Sequence, residues 1–311
     1  MERAPESVST EDKEKTGYMG KSKAIPLLAI IGVNFTWGFD FIAIEYMMDF
    51  IPPSVFTLIR LIIGSVILTV FVLIKRGGLH IKKEDRIKVF IAGGIGMAFY
   101  FTVESFGTGM TSASFSSLIM ATVPVFGMIG DRLVYGNRIT PFKVICIAAS
   151  ILGVYMLVSG EPMGISVIGL AAMLAAAILW AFYIIYTKTL FDKYDLLTLL
   201  TGLFLSGTIV QIPIALISQG ISHTPVIITP QGILITIVTA IICIIIGEFG
   251  YVYAIGKLSP TVTSAFENVL PVTTVIFSFF IFGKMLSVMQ IIGGLIIMAS
   301  VTAIALIESR T

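Results

Sequence analysis

The sequence predicts an all-α integral membrane protein with ten transmembrane helices, arranged as two inverted repeats of five. Three observations predict it. About ten apolar stretches of roughly 20 residues follow one another, each long enough to cross ~30 Å of hydrocarbon. Lys and Arg collect in alternate gaps between these stretches. Paired residues recur in register between the two halves of the chain.

Composition supports the first observation. The 311 residues are 57% hydrophobic and 12% charged, with a mean hydropathy of +1.01. An ordinary soluble domain carries about 25% charged residues, so lipid must be the solvent for much of this chain. The spans fall near 24–44, 54–74, 88–110, 112–131, 141–159, 166–188, 196–218, 231–256, 260–282 and 286–307. Residues 1–22 mix both charge signs, contain Pro5 and lack an apolar run, which reads as a disordered cytoplasmic tail. The first span, from Ala24, is too long for a signal-peptide core and lacks a persuasive cleavage site, so it is expected to be retained.

Charge orients the spans. Eighteen of the twenty Lys and Arg residues lie in the N-terminal tail, the even-numbered gaps or the C-terminus. The largest groups are Lys75, Arg76, Lys82, Lys83, Arg86 and Lys88 in the second gap, and Arg132, Arg138 and Lys143 in the fourth. The opposite gaps hold only Lys284, and Arg60 lies inside a span. Both termini are therefore expected in the cytoplasm, and the whole chain in a bacterial cytoplasmic membrane.

The repeat follows from matched residues. At an offset of 143, Trp37 meets Trp180, Phe39 meets Phe182 and Gly64 meets Gly207; the chain has no other tryptophan. At an offset of 147, Ser112 meets Ser259, Ser117 meets Ser264, Pro124 meets Pro271 and Gly136 meets Gly283. The expected units are 23–160 and 161–308. Each holds five spans, and five is odd, so the second copy must lie inverted in the membrane. Glu45 and Lys188 occupy equivalent positions on opposite sides, with opposite signs. Inverted repeats are the architecture of alternating-access transporters.

The same residues resemble the EamA-type transporters of the drug/metabolite transporter superfamily over about 24–307. Asn34 to Asp40, with Trp37-Gly38 at its centre, resembles the family's Trp-Gly-Ser motif in the first helix. Pro52-Pro53 followed by Arg60 is similar to its Pro-Pro…Arg pattern. Ser112 to Pro124 to Gly136, and Ser259 to Pro271 to Gly283, resemble its repeated small-residue, Pro and Gly pattern. The chain departs from the family at Asn137 and Lys284, where Glu is usual, and at Glu45, where Lys is common. Glu104, Glu248 and Glu267 stand where the family is more often apolar or small. The resemblance implies a carrier, often an exporter, of small organic metabolites such as amino acids or amines.

Charges within hydrocarbon cost at least ~2.5–3.5 kcal/mol each on insertion scales, and usually mark a pathway or a partner. Five residues qualify: Asp40, Arg60, Glu104, Glu248 and Glu267. By helix rise, the first three lie ~6–9 Å from the outer ends of their spans, and the last two ~10–12 Å from the inner ends of theirs. This suggests an outer cluster and an inner pair. The outer cluster reads either as a structural ion pair of Arg60 with Asp40 or Glu104, or as a gate or zwitterion site in which Arg60 holds a carboxylate. The inner acids have no base at their depth, which suits binding of a proton or a cation. The competing reading is a carboxyl satisfied by backbone or Tyr hydroxyls.

Trp37, Tyr100, Trp180, Tyr183 and Tyr251 are candidates to line a cavity and hold a cationic group, although packing explains such aromatics equally well. Pro124 and Pro271 are candidates for matched mid-helix kinks.

Several classes are disfavoured. Cys146 and Cys243 each stand alone in a span, and His80 and His223 are the only histidines, so neither a metal centre nor a cofactor is expected. The Gly-x-Ser-x-Gly, His-Glu-x-x-His and phosphate-loop patterns are absent, which argues against an enzyme and against direct use of ATP. The basic residues follow topology and form no nucleic-acid patch. The expected partners are lipid, a small-molecule substrate and protons as a candidate coupling ion. A channel or a ligand sensor is the alternative to a carrier.

Overall fold

The computed structural model describes residues 10–136, 140–159, 166–191, 193–257 and 269–308. These residues form helices joined by short turns, without strands among them. In chain order the α-helices are α1 (Thr10–Met47), α2 (Pro53–Arg76), α3 (Arg86–Gly93), α4 (Tyr100–Gly109), α5 (Ala113–Met120), α6 (Val123–Tyr135) and α7 (Pro141–Ser159). They continue as α8 (Val167–Phe191), α9 (Leu196–Ser222), α10 (Pro230–Val238), α11 (Gly247–Lys257), α12 (Val269–Phe282) and α13 (Val288–Glu308). Among the described residues, seven stretches are long and apolar enough to cross a membrane: Ile25–Met47, Pro53–Arg76, Lys83–Gly109, Ala113–Val134, Val167–Thr187, Leu196–Ser222 and Pro230–Ala254. Pro141–Met156, Val269–Phe282 and Val288–Ser300 are apolar but shorter. Val66, Ile74, Leu133, Ile145, Leu216 and Phe280 are among the large apolar side chains left exposed, as expected of surfaces that face acyl chains.

Three features differ from the sequence reading. First, α1 begins at Thr10 and takes in residues 10–22, which composition assigns to a disordered tail. Second, Pro124 does not kink a continuous helix. The fourth span breaks at a turn over Ala121 and Thr122, and Pro124 lies in the first turn of α6. Pro has no N–H to continue α5, and its ring would clash with the carbonyl four residues back. Thr122 N instead donates to Ile119 O at 2.9 Å, and Val125 N to Thr122 O at 2.9 Å. Pro271 is the third residue of α12, so it too lies at a helix start, and the residues before Val269 fall outside those described. Third, α3 and α4 are joined by a π-helical segment, Gly94–Phe99, and α10 and α11 by another, Thr239–Ile246. The two segments overlap at the repeat offset, although nothing in composition announces either.

The paired glycines have a local cause. Gly136 closes α6 at φ 74° and Gly283 closes α12 at φ 66°, a left-handed conformation that a Cβ disfavours. Gly136 N donates to Arg132 O at 3.1 Å, and Gly283 N to Phe279 O at 3.0 Å.

Packing pairs the halves. α2 lies against α9 and α7 against α13, in each case helices that the sequence offsets align with each other. α1 packs on α11 and α12, and its counterpart α8 packs on α4 and α6. Ser65 and Thr208, 143 residues apart, share a hydrogen bond at 2.8 Å. Trp37 and Trp180, also 143 apart, meet edge-to-face with ring centroids 5.8 Å apart.

Loops that the charge count assigns to one side come together. Lys193 pairs with Asp85 at 3.2 Å and Arg76 with Asp195 at 3.5 Å, joining the second and sixth gaps. Ile227 N donates to Phe50 O at 2.8 Å, and Lys284 pairs with Glu45, joining the first gap to the seventh and ninth.

Candidate functional site

A cavity of about 40 Å³ lies between the halves. Its charged lining is Asp40, Glu104 and Glu248; its aromatic lining is Trp37, Phe41, Tyr100, Phe101 and Trp180. Met120, Val123 and Leu270 complete the wall. The supporting helices are α1, α4, α8 and α11, with the α5–α6 break and the start of α12. The break over Ala121 and Thr122 thus places Met120 and Val123 at the cavity.

Each acid is held differently. Asp40 Oδ2 accepts from Arg60 Nη2 at 2.5 Å, and the Cys243 thiol, a weak donor, stands beside the same carboxyl. Its Oδ1 accepts no hydrogen bond of ordinary geometry. Glu104 Oε1 accepts from the Tyr100 hydroxyl at 2.5 Å, one helical turn away. Glu248 is fully buried in the first turn of α11, directly after the π segment.

The aromatic residues form one cluster of tilted and edge-to-face rings. Trp180 has Tyr100 at 4.7 Å, Tyr183 at 5.1 Å and Tyr251 at 5.8 Å between ring centroids, and Trp37 has Tyr251 at 5.1 Å. Trp37 Nε1 donates to the Cys243 carbonyl at 3.0 Å. That carbonyl belongs to the π segment, whose wider turn departs from the α-helical bonding register. Trp37, Tyr100 and Trp180 line the cavity. Tyr183 and Tyr251 stand behind Trp180 and Trp37, and are absent from the lining.

The charged candidates are rearranged relative to the sequence reading. Arg60 pairs with Asp40, not Glu104, and is fully buried between Phe56 and Phe101, with ring centroids 4.8 and 5.9 Å from its guanidinium carbon. It does not line the cavity. Glu248 does not belong to a separate inner tier, because it shares the cavity with Asp40 and Glu104. The physical reason is length. The rod from Pro230 to Lys257 is about 42 Å long at ~1.5 Å per residue, which exceeds ~30 Å of hydrocarbon and leaves Glu248 well within it. Glu267 lies outside the described residues. Phe41, Phe101, Met120, Val123 and Leu270 were not singled out by sequence, because an apolar cavity wall and an apolar core use the same residue types.

Away from the cavity, the cytoplasm-assigned loops carry their own polar cluster. Asp85 is buried and accepts from Tyr194 Oη at 2.7 Å and from Lys193 Nζ. Asp195 caps α9, accepting from Thr198 N at 3.3 Å and Thr198 Oγ1 at 2.6 Å. Burial opposes charge on Asp195, but the Thr198 bonds and the nearby Arg76 outweigh it and hold the carboxyl below its usual range.

A family profile described as the EamA-like transporter family matches residues 24–159 and again 167–306. The chain belongs to this family. It is a membrane transporter and not an enzyme, and its surroundings are lipid and a small-molecule substrate. Similar proteins carry compatible descriptions. An uncharacterized transporter of Archaeoglobus fulgidus is 26% identical over 90% of this chain and 96% of its own length. A second from that organism is 29% identical over 57% of this chain and 62% of its own length, so this alignment spans less than two thirds of that relative. A probable terminal-alkyne amino-acid exporter of Streptantibioticus cattleyicolor is 25% identical over 94% of this chain and 96% of its own. A crystal structure of a protein 16% identical superposes with a TM-score of 0.65, over 94% of this chain and 98% of that one, and shows the fold alone.

Proposed function

We propose that this EamA-like protein is a secondary transporter that exports a small amine-bearing metabolite by alternating access, coupled to proton entry. The observation that carries this reading is the contact of Trp37 with Trp180 at the wall of the cavity. Two residues at the same repeat offset touch, so the cavity lies where a two-fold axis relating the repeats would pass. A cavity on such an axis can be opened to either side by equivalent rocking motions. The reciprocal packing of α1 and α8 supports ten spans in two inverted units, 23–160 and 161–308. The grouping of loops supports both termini in the cytoplasm of a bacterial plasma membrane.

The amine follows from the lining. Three carboxyls and several aromatic faces suit an ammonium through charge and cation–π attraction. The relative described as a probable amino-acid exporter supports the same broad class. Glu248 and Glu104 are the carboxyls proposed to exchange a proton for the cargo, and Glu267 is a further candidate from the sequence. Protein reconstituted into liposomes with an imposed pH gradient tests this. Saturable amine movement against the proton flux, lost in Glu248→Gln, is the expected result. Movement that ignores both the gradient and the substitution would refute the coupling.

A further inference from the structure

The cavity discriminates between two kinds of amine-bearing cargo. We infer that the transported molecule is an organic cation without a carboxylate, a free amine or methylated ammonium, and not a zwitterionic amino acid. The inference rests on the carrier reading above and narrows its substrate class.

The wall presents the carboxyls of Asp40, Glu104 and Glu248 and the faces of Trp37, Tyr100 and Trp180. An ammonium meets attraction from both sets. Among the described residues, the wall carries no base to pair with a substrate carboxylate. Arg60 is the sole basic side chain buried among the described residues, and it lies behind Asp40, which already takes its Nη2. Nη1 and Nε are buried without an acceptor of ordinary geometry, and Arg60 is absent from the lining. A carboxylate approaching from the cavity meets Asp40 before that guanidinium, among like charges that oppose it.

Size agrees with a head-group site. A volume of about 40 Å³ holds roughly three water-sized groups, enough for an ammonium and its first carbons. The rest of a larger cargo requires the opening that a carrier makes in each cycle.

The chain supplies its own probe, because its two tryptophans are Trp37 and Trp180 and both line the cavity. Tryptophan emission of the purified, detergent-solubilised protein is titrated with matched pairs: phenethylamine against phenylalanine, and agmatine against arginine. Each amine should change the emission saturably, with a Kd at least ~10-fold below that of its amino acid. Glu104→Gln and Glu248→Gln should weaken the amines at least ~10-fold and leave the amino acids little changed. The pairwise comparison uses the unaltered protein, so it stands even if a variant folds poorly. Amino acids that bind as tightly as their amines, or pairs in which neither member changes the emission, would overturn the inference. In liposomes the two levels separate. Amino acids that cross while amines do not would refute the charge class and keep the carrier. Amines that bind selectively but never cross would refute the carrier and leave the charge class of the ligand standing.

Discussion

Replacing Arg60 by Ala tests the most committed electrostatic feature of the site. Arg60 is 0% exposed and the Asp40 side chain 8% exposed, with 2.5 Å between Nη2 and Oδ2. Removing the guanidinium leaves a buried carboxylate beside only the weak Cys243 donor. Breaking a buried pair from one side costs about 3–5 kcal/mol, against about 0–1 kcal/mol for an exposed pair. Loss of packing on Phe56 and Phe101 acts in the same direction. Removing both charges with shape-filling residues, Asp40→Leu with Arg60→Met, should recover most of that loss, because the desolvation of both ions goes with them. A double-mutant cycle built from Asp40→Leu, Arg60→Met and their combination should therefore show a coupling of about 2–3 kcal/mol. Reversible unfolding in mixed micelles measures each free energy. A loss under about 1 kcal/mol in Arg60→Ala, or strict additivity in the double variant, would refute the reasoning.

Three further predictions concern other parts of the molecule. In Gly247→Ala the new Cβ falls 2.6 Å from Trp37 Nε1, so about 1–3 kcal/mol of stability should be lost and tryptophan emission should shift; unchanged emission and melting would contradict this close packing. Asp195→Ala should cost about 1 kcal/mol as a lost helix cap. The carboxyl of Asp195 is held below its usual range in the folded protein, so its contribution is complete above the ordinary carboxylate pKa and fades as pH falls through the lowered value; the gap in melting temperature between wild type and variant should close only in acid. In a chain whose Cys146 and Cys243 are replaced by Ala, a membrane-impermeant maleimide applied outside should label His223→Cys and miss His80→Cys, and the reverse would overturn the topology.

Much of the fold is legible because lipid imposes simple rules. Length and hydropathy mark the spans, and loop charge groups their ends. The Trp37–Trp180 match, read from spacing alone, proves to be a physical contact. The cost of an intramembrane guanidinium leads to the Arg60–Asp40 pair. The rest depends on details that residue type does not encode. The π segments at Gly94–Phe99 and Thr239–Ile246 are a choice of hydrogen-bond register within ordinary helix-forming stretches. Distance along a helix misplaces Glu248 because the rod that carries it is longer than the bilayer. Pro124 reads equally well as a kink or a helix start until the turn over Ala121 and Thr122 is seen.

The most direct test of the central account is counterflow in liposomes. Vesicles holding the reconstituted protein are loaded with unlabelled phenethylamine and diluted into a trace of labelled phenethylamine, with no pH gradient. A site that alternates between the two sides must return occupied more readily than empty, so labelled amine should accumulate transiently above its external concentration and then decline. Glu248→Gln should abolish that overshoot. Simple equilibration, identical in loaded and empty vesicles, would contradict alternating access at the Trp37–Trp180 cavity.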